Sequence, residues 1–111
     1  MRAFALDDTL RERQQAGRLY FEFLRVPALS AGVYVLPAGG TDPQQPHAED
    51  ELYYVASGAG SIEVDGESRP VRAGSLIYVP AHAPHRFHTI TEELRILVFF
   101  APAEYTQAQQ G

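Results

Sequence analysis

The sequence predicts an all-β fold, a small antiparallel sandwich or barrel with one short helix at its N-terminus. Three observations carry that expectation. Short runs rich in Val, Ile, Tyr and Phe are punctuated by Gly, Pro and Asp about every eight to ten residues, the spacing of an all-β domain. Asp65-Gly66 sits between two alternating runs, and both residues tolerate the positive φ that a two-residue hairpin needs. No repeat, linker or low-complexity stretch interrupts the 111 residues. The chain is therefore expected to form one domain.

Taken in order, Thr9-Leu10-Arg11-Glu12 has the Thr-x-x-Glu spacing of a capping box, and Gly17 offers a left-handed stop. A helix is expected over about residues 9–17. Leu19 to Val26 and Ser30 to Leu36 read as strands, stopped by Pro27 and by Pro37 with Gly39-Gly40. Thr41 to Pro46 is a turn-rich loop leading to His47. Glu51 to Ala56, Ser61 to Val64, Glu67 to Val71, Ser75 to Val79, His85 to Ile90 and Leu94 to Phe100 are the remaining expected strands, with Ser57 to Gly60 as a bend. The barrel core spans about 19–101, and the polar tail over 103–111 is expected to fray.

Composition excludes several functions. A formal charge of −5 with no Lys/Arg cluster argues against nucleic acid. With no cysteine, disulfides, thiolate catalysis and Cys-ligated zinc are ruled out. The N-terminus carries two acids and no long apolar run, so it does not read as a secretory signal. No run approaches the roughly 18 apolar residues of a membrane span. The sequence predicts a soluble, cytoplasmic protein.

All four histidines fall between positions 47 and 88. His47 and Glu51 flank the start of one strand and His85 opens another, so two adjacent strands would bring them together inside a barrel. Two imidazoles and a carboxylate with positions left open suit a divalent transition metal. Strict alternation puts Gln45, His47, Glu49 and Glu51 on one face, and spacing alone does not choose between the two glutamates. His88, three after His85, points to the opposite face. Phe87 shares the inward face with His85. Tyr53 and Tyr54 face opposite ways, and Tyr34 and Tyr78 are candidate pocket walls. The apolar strand Leu94 to Phe100 and the aromatic strand Leu19 to Val26 are the candidate dimer face.

The two segments, QPHAEDELYYVASGAG from Gln45 and GSLIYVPAHAPHRFH from Gly74, resemble the cupin family. His47, Glu51 and Gly58 match its first motif, G-x5-H-x-H-x3,4-E-x6-G. Gly74, Pro80 and His85 match its second, G-x5-P-x-G-x2-H-x3-N. The resemblance implies a small double-stranded β-helix (a jelly-roll barrel), a homodimer, and one divalent metal (Fe, Mn, Ni or Zn) in the barrel mouth. It selects Glu51 and places Glu49 and Asp50 in the preceding turn. The implied ligands are Gln45, His47, Glu51 and His85.

Three positions depart from the pattern. The first motif histidine falls on Gln45, the second-motif glycine on His82, and the asparagine on Thr89. An amide oxygen is a weaker donor than imidazole, so Gln45 lowers the expected affinity for late first-row metals. His82 or Glu49 would move protons. The functional expectation is a metal-dependent enzyme of dioxygenase, isomerase or lyase type acting on a small polar organic molecule. The alternative is a non-catalytic module that holds a small ligand in the same cavity.

Overall fold

A computed structural model describes residues 1–43 and 46–105. Helix α1 spans Leu6–Ala16, and six antiparallel strands follow: β1 (Tyr20–Val26), β2 (Leu29–Leu36), β3 (Asp50–Val64), β4 (Glu67–Arg72), β5 (Leu76–Val79) and β6 (His85–Ala101). The sheet order is β1-β2-β6-β3-β4, with β5 on the free side of the first half of β3.

β3 and β6 are long enough to serve both walls of a jelly roll. Residues 50–55 of β3 pair with 96–101 of β6, and residues 61–64 pair with 85–88. Between these ladders the register slips repeatedly over Val55 to Ser61, and there the sheet turns onto its second wall. Gly58 makes the turn possible. Its φ is +98°, and a Cβ there would run into the Glu93 carbonyl oxygen of β6. The stretches Ser57–Gly60 and Thr91–Glu93, expected to separate strands, instead bend strands whose ladder continues through them. Four of the expected strands thereby merge into two.

Alternation fixes what enters the barrel. In the first half of β3, Glu51, Tyr53 and Val55 are buried while Asp50, Leu52 and Tyr54 face out. In β6, His85, Phe87, Leu94, Ile96, Val98 and Phe100 are buried. β2 is buried over nearly its whole length because α1 packs across the outside of β1 and β2. The Asp65-Gly66 hairpin forms with φ of 50° and 82°, joining β3 to β4 as the sequence indicates.

α1 starts earlier than expected. Thr9 lies inside the helix, where its hydroxyl donates to the Leu6 carbonyl (2.7 Å), and the N-cap residue is Ala5 with no side-chain cap. The capping box does not form, because Asp7 and Asp8 already supply first-turn acids that favour an earlier start. Gly17 closes the helix at φ 68° as expected. None of the described helices is long and apolar enough to cross a membrane.

β6 is central and paired on both sides, with Leu94, Ile96, Val98 and Phe100 in the core and Leu97 and Phe99 half-buried on the outer face. Exposed apolar side chains gather on that same outer face, where Leu52 and Tyr54 on β3 stand opposite Phe99 and Leu97 on one side and Tyr78 and Leu76 of β5 on the other. Tyr78 is an outer-face residue, 59 % exposed, lining a shallow outer pocket with Leu76 and Ile77 away from His47.

Candidate metal centre

Glu51 reaches the barrel interior because it is the first inward position of β3, and His85 because it opens β6 on the inward face. His47 lies in the loop just before β3, where its ring packs on Phe100 at a centroid distance of 4.7 Å. Each of the three offers a donor atom within 4.8 Å of the others. His85 Nε2 stands 3.2 Å from Glu51 Oε1, both side chains 1 % exposed. His85 Nδ1 lies 2.9 Å from the Ala83 carbonyl, which accepts its N–H and fixes the ring with Nε2 turned to Glu51.

His47 Nδ1 is buried without a hydrogen-bond partner, and the buried Glu51 carboxylate stands against the His85 ring and the Tyr53 phenol. An ionised carboxylate held this way is costly unless a cation meets it. Donors around a tetrahedral ion stand about 3.4 Å apart, so small side-chain adjustments suffice to close the cluster on one. The residues fit a divalent metal.

Both imidazoles titrate above the ordinary histidine value. For His47, burial alone would lower it, and the hydrogen bond to Glu104 with the charge of Glu51 outweighs that. For His85, burial is likewise overcome, by Glu51 and the Ala83 carbonyl. Tyr53, fully buried beside His85, is pushed well above the usual phenol value by burial and then by Glu51.

Glu104 is absent from any sequence-based list, since it follows the last strand in a segment expected to fray. Residues 103–105 are instead tied across the barrel end. Ala103 N–H donates to the Pro27 carbonyl (3.4 Å) and Glu104 N–H to Ser30 Oγ (2.9 Å). Arg25 Nη2 donates to the Glu104 carbonyl (2.5 Å) and Tyr105 N–H to Glu49 Oε1 (3.0 Å). Glu104 Oε2 lies 2.8 Å from His47 Nε2, each side chain 10 % exposed. The only advance signal is an acid two residues after the Ala101-Pro102 stop, too common to single out.

The other candidates fall as follows. Gln45 lies outside the described residues. Glu49 sits in the turn before β3, as the resemblance implies, and its buried carboxylate receives the Tyr105 amide. His82 is exposed. Its N–H donates to the His47 carbonyl (2.6 Å), and its φ of 67° explains why the family places glycine there. His88 pairs with Ser68 away from the site.

Asp42, read from sequence only as a turn residue, joins the two halves of the site. It accepts from the Tyr34 hydroxyl (2.5 Å) and from the Phe87 amide (2.8 Å). Asp42→Ala leaves two buried donors unpaired and should cost about 2–4 kcal/mol. Urea unfolding measures this, and a loss under about 1 kcal/mol would show that water replaces the carboxylate readily.

A cavity of about 300 Å³ opens beside His47, walled by Tyr20, Tyr34, Val98, Phe100, Glu104 and Tyr105 among others. Tyr20 lies over Gly32, where any Cβ would strike its ring. Its hydroxyl is buried without a partner, and burial and then Glu104 push its ionisation far above the ordinary phenol value. It is a neutral donor awaiting an acceptor.

A jelly-roll barrel with two imidazoles and a carboxylate converging at one end defines a class of small-molecule-binding β-barrels. The chain belongs to the cupin family, whose cupin domain matches residues 32–100. It is 49 % identical over 104 residues to the uncharacterized protein SCO3923 of Streptomyces coelicolor, covering 94 % of this chain and 99 % of that one. TT1209 of Thermus thermophilus superposes with a TM-score of 0.75 at 21 % identity, over 93 % of this chain and 99 % of that one. The DMSP lyase DddQ of Ruegeria pomeroyi superposes with a TM-score of 0.64 at 26 % identity, over 68 % of this chain and 39 % of that one.

Proposed function

We propose that His47, Glu51 and His85 hold one divalent transition metal (iron, manganese, nickel or zinc) and that the protein is an enzyme acting on a small polar molecule. The observation that carries this is the convergence of Glu51 and His85 at 3.2 Å in the barrel interior, both side chains 1 % exposed, with a His47 nitrogen completing the cluster. The bound ion would supply Lewis-acid polarisation of a substrate oxygen.

The chain's own residues do the rest. Phe100 fixes the plane of His47, and the Ala83 carbonyl sets the tautomer of His85. Tyr20 donates its free O–H to a substrate oxygen in the cavity. Phe100, Val98 and Tyr34 exclude water from the wall facing the ligands. The likeness to DddQ, a lyase, supports a lyase reaction over simple ligand storage. Of the two candidates for proton transfer, His82 is exposed on the loop whose N–H bonds the His47 carbonyl, and Glu49 is buried and receives the Tyr105 amide. The test is metal content of wild type beside His85→Ala.

The protein is also proposed to be a homodimer, in which Leu52, Tyr54, Leu76 and Tyr78 meet their copies in a second chain. These four stand as two facing cross-strand pairs on edge strand β5 and its neighbour, and Leu76 is 67 % exposed. Such a contiguous apolar patch beside an unpaired strand edge favours association. Light scattering at micromolar concentration should report a dimer, and Leu76→Glu with Tyr78→Glu should give a monomer. A monomeric wild type would overturn the assignment.

A further inference from the structure

We infer that Glu104 is the positioning residue of this site: its carboxylate holds the Nε2–H of His47, so that His47 meets a metal through Nδ1. The inference rests on the metal-centre reading above. Its geometry is specific to this chain's C-terminal strap.

A neutral imidazole has one N–H and one lone pair. The 2.8 Å contact between Glu104 Oε2 and His47 Nε2 commits the N–H to Nε2, because an ionised carboxylate only accepts. The lone pair then falls on Nδ1, the nitrogen that is buried without any partner. His85 is arranged the other way round, with Nδ1–H given to the Ala83 carbonyl and Nε2 turned to Glu51. One ring is therefore held by a main-chain oxygen and the other by a carboxylate, and the two offer opposite nitrogens. A carboxylate behind a ligating imidazole fixes the ring's orientation and raises its basicity.

Glu104 is itself well anchored. Its N–H and carbonyl are bonded to Ser30 and Arg25 through the backbone, so the strap stays in place when the side chain is changed. Tyr105, the next residue, is pinned to Glu49. The strap thus carries an anchored carboxylate to the His47 ring.

The experiment is long-range ¹H–¹⁵N NMR of ring-labelled protein at about pH 9, where imidazoles are neutral. It is combined with zinc titration of wild type, Glu104→Gln and Glu104→Ala. Metal-free wild type should show His47 protonated on Nε2, and zinc should shift the Nδ1 resonance. Glu104→Ala should mix the tautomers and weaken zinc binding about 10–100-fold, with a smaller loss in Glu104→Gln, whose amide oxygen still accepts. An Nδ1–H tautomer in wild type, or zinc binding in Glu104→Ala as tight as wild type, overturns the role of Glu104. Failure of wild type to bind zinc or any other divalent ion overturns the metal centre instead, and the metal-free tautomer still reports on Glu104 alone.

Discussion

His85→Ala is expected to abolish stoichiometric metal while leaving a folded barrel. Losing an outer partner of a ligand costs about 10–100-fold in metal affinity, so losing a ligand itself should cost more than about 100-fold. Removing the ring also takes away the bond to the Ala83 carbonyl and the group 3.2 Å from Glu51 Oε1, worth about 1–3 kcal/mol of stability. That loss is smaller than the stability of a typical domain. Purified, untagged wild type should carry near one equivalent of a first-row metal by plasma mass spectrometry, and His85→Ala almost none. His88→Ala is the control, since that ring faces away from the site and bonds Ser68. Equal metal in wild type and His85→Ala would remove the centre from this part of the barrel. Absence of metal from wild type even after reconstitution would turn attention to the cavity as a plain binding site. Chelation should also lower the melting temperature, because an ion present at 100 times its Kd stabilises by about 2.7 kcal/mol.

Gly58→Ala is expected to destabilise the fold by about 2–5 kcal/mol, combining backbone strain with overpacking. At φ +98° an L side chain is strained whatever surrounds it, and here the added carbon also meets the Glu93 carbonyl and comes within 2.8 Å of Leu94 Cα. Both obstacles are main chain in the central strand, so neither can swing aside. Gly66→Ala is the comparison. It too has positive φ, at +82°, but nothing lies within 4 Å of an added Cβ, so it should cost only the strain. Denaturant unfolding of the pair separates the two contributions. If Gly58→Ala costs no more than Gly66→Ala, the strand bend is soft and the close approach is not a constraint.

Much of the fold was legible because period-two burial is written directly into the strands. Glu51, Tyr53 and Val55 alternate with Asp50, Leu52 and Tyr54, and the inward set is the buried set. The Asp65-Gly66 hairpin and the Gly17 cap are local events decided by φ preference, and both appear where expected. His47, Glu51 and His85 were legible for a related reason: two sit at strand starts on the inward face, and the spacing of the family motifs names all three. What was not legible depends on long-range geometry. Gly58 marks a bend and not a break only because Glu93 of β6 lies against it. Asp42 looks like any loop acid until the Tyr34 hydroxyl and the Phe87 amide converge on it. Glu104 lies beyond the last strand, and only the bonds from Ser30 and Arg25 and the Tyr105 link to Glu49 show that the segment is held. Gln45 lies outside the described residues.

The strand pairing carries a consequence for dynamics. Glu51 and His85 are mounted on β3 and β6, the same two strands whose ladders join both walls of the sheet. Amides in such doubly paired strands exchange with solvent only through opening of the whole unit. Deuterium should therefore enter Glu51 to Val55 and Leu94 to Phe100 last, at a rate set by global unfolding. His47, carried on a loop, should become accessible far sooner. The two strand-borne donors then sit on the last part of the barrel to open, and the loop-borne imidazole on a part that opens first.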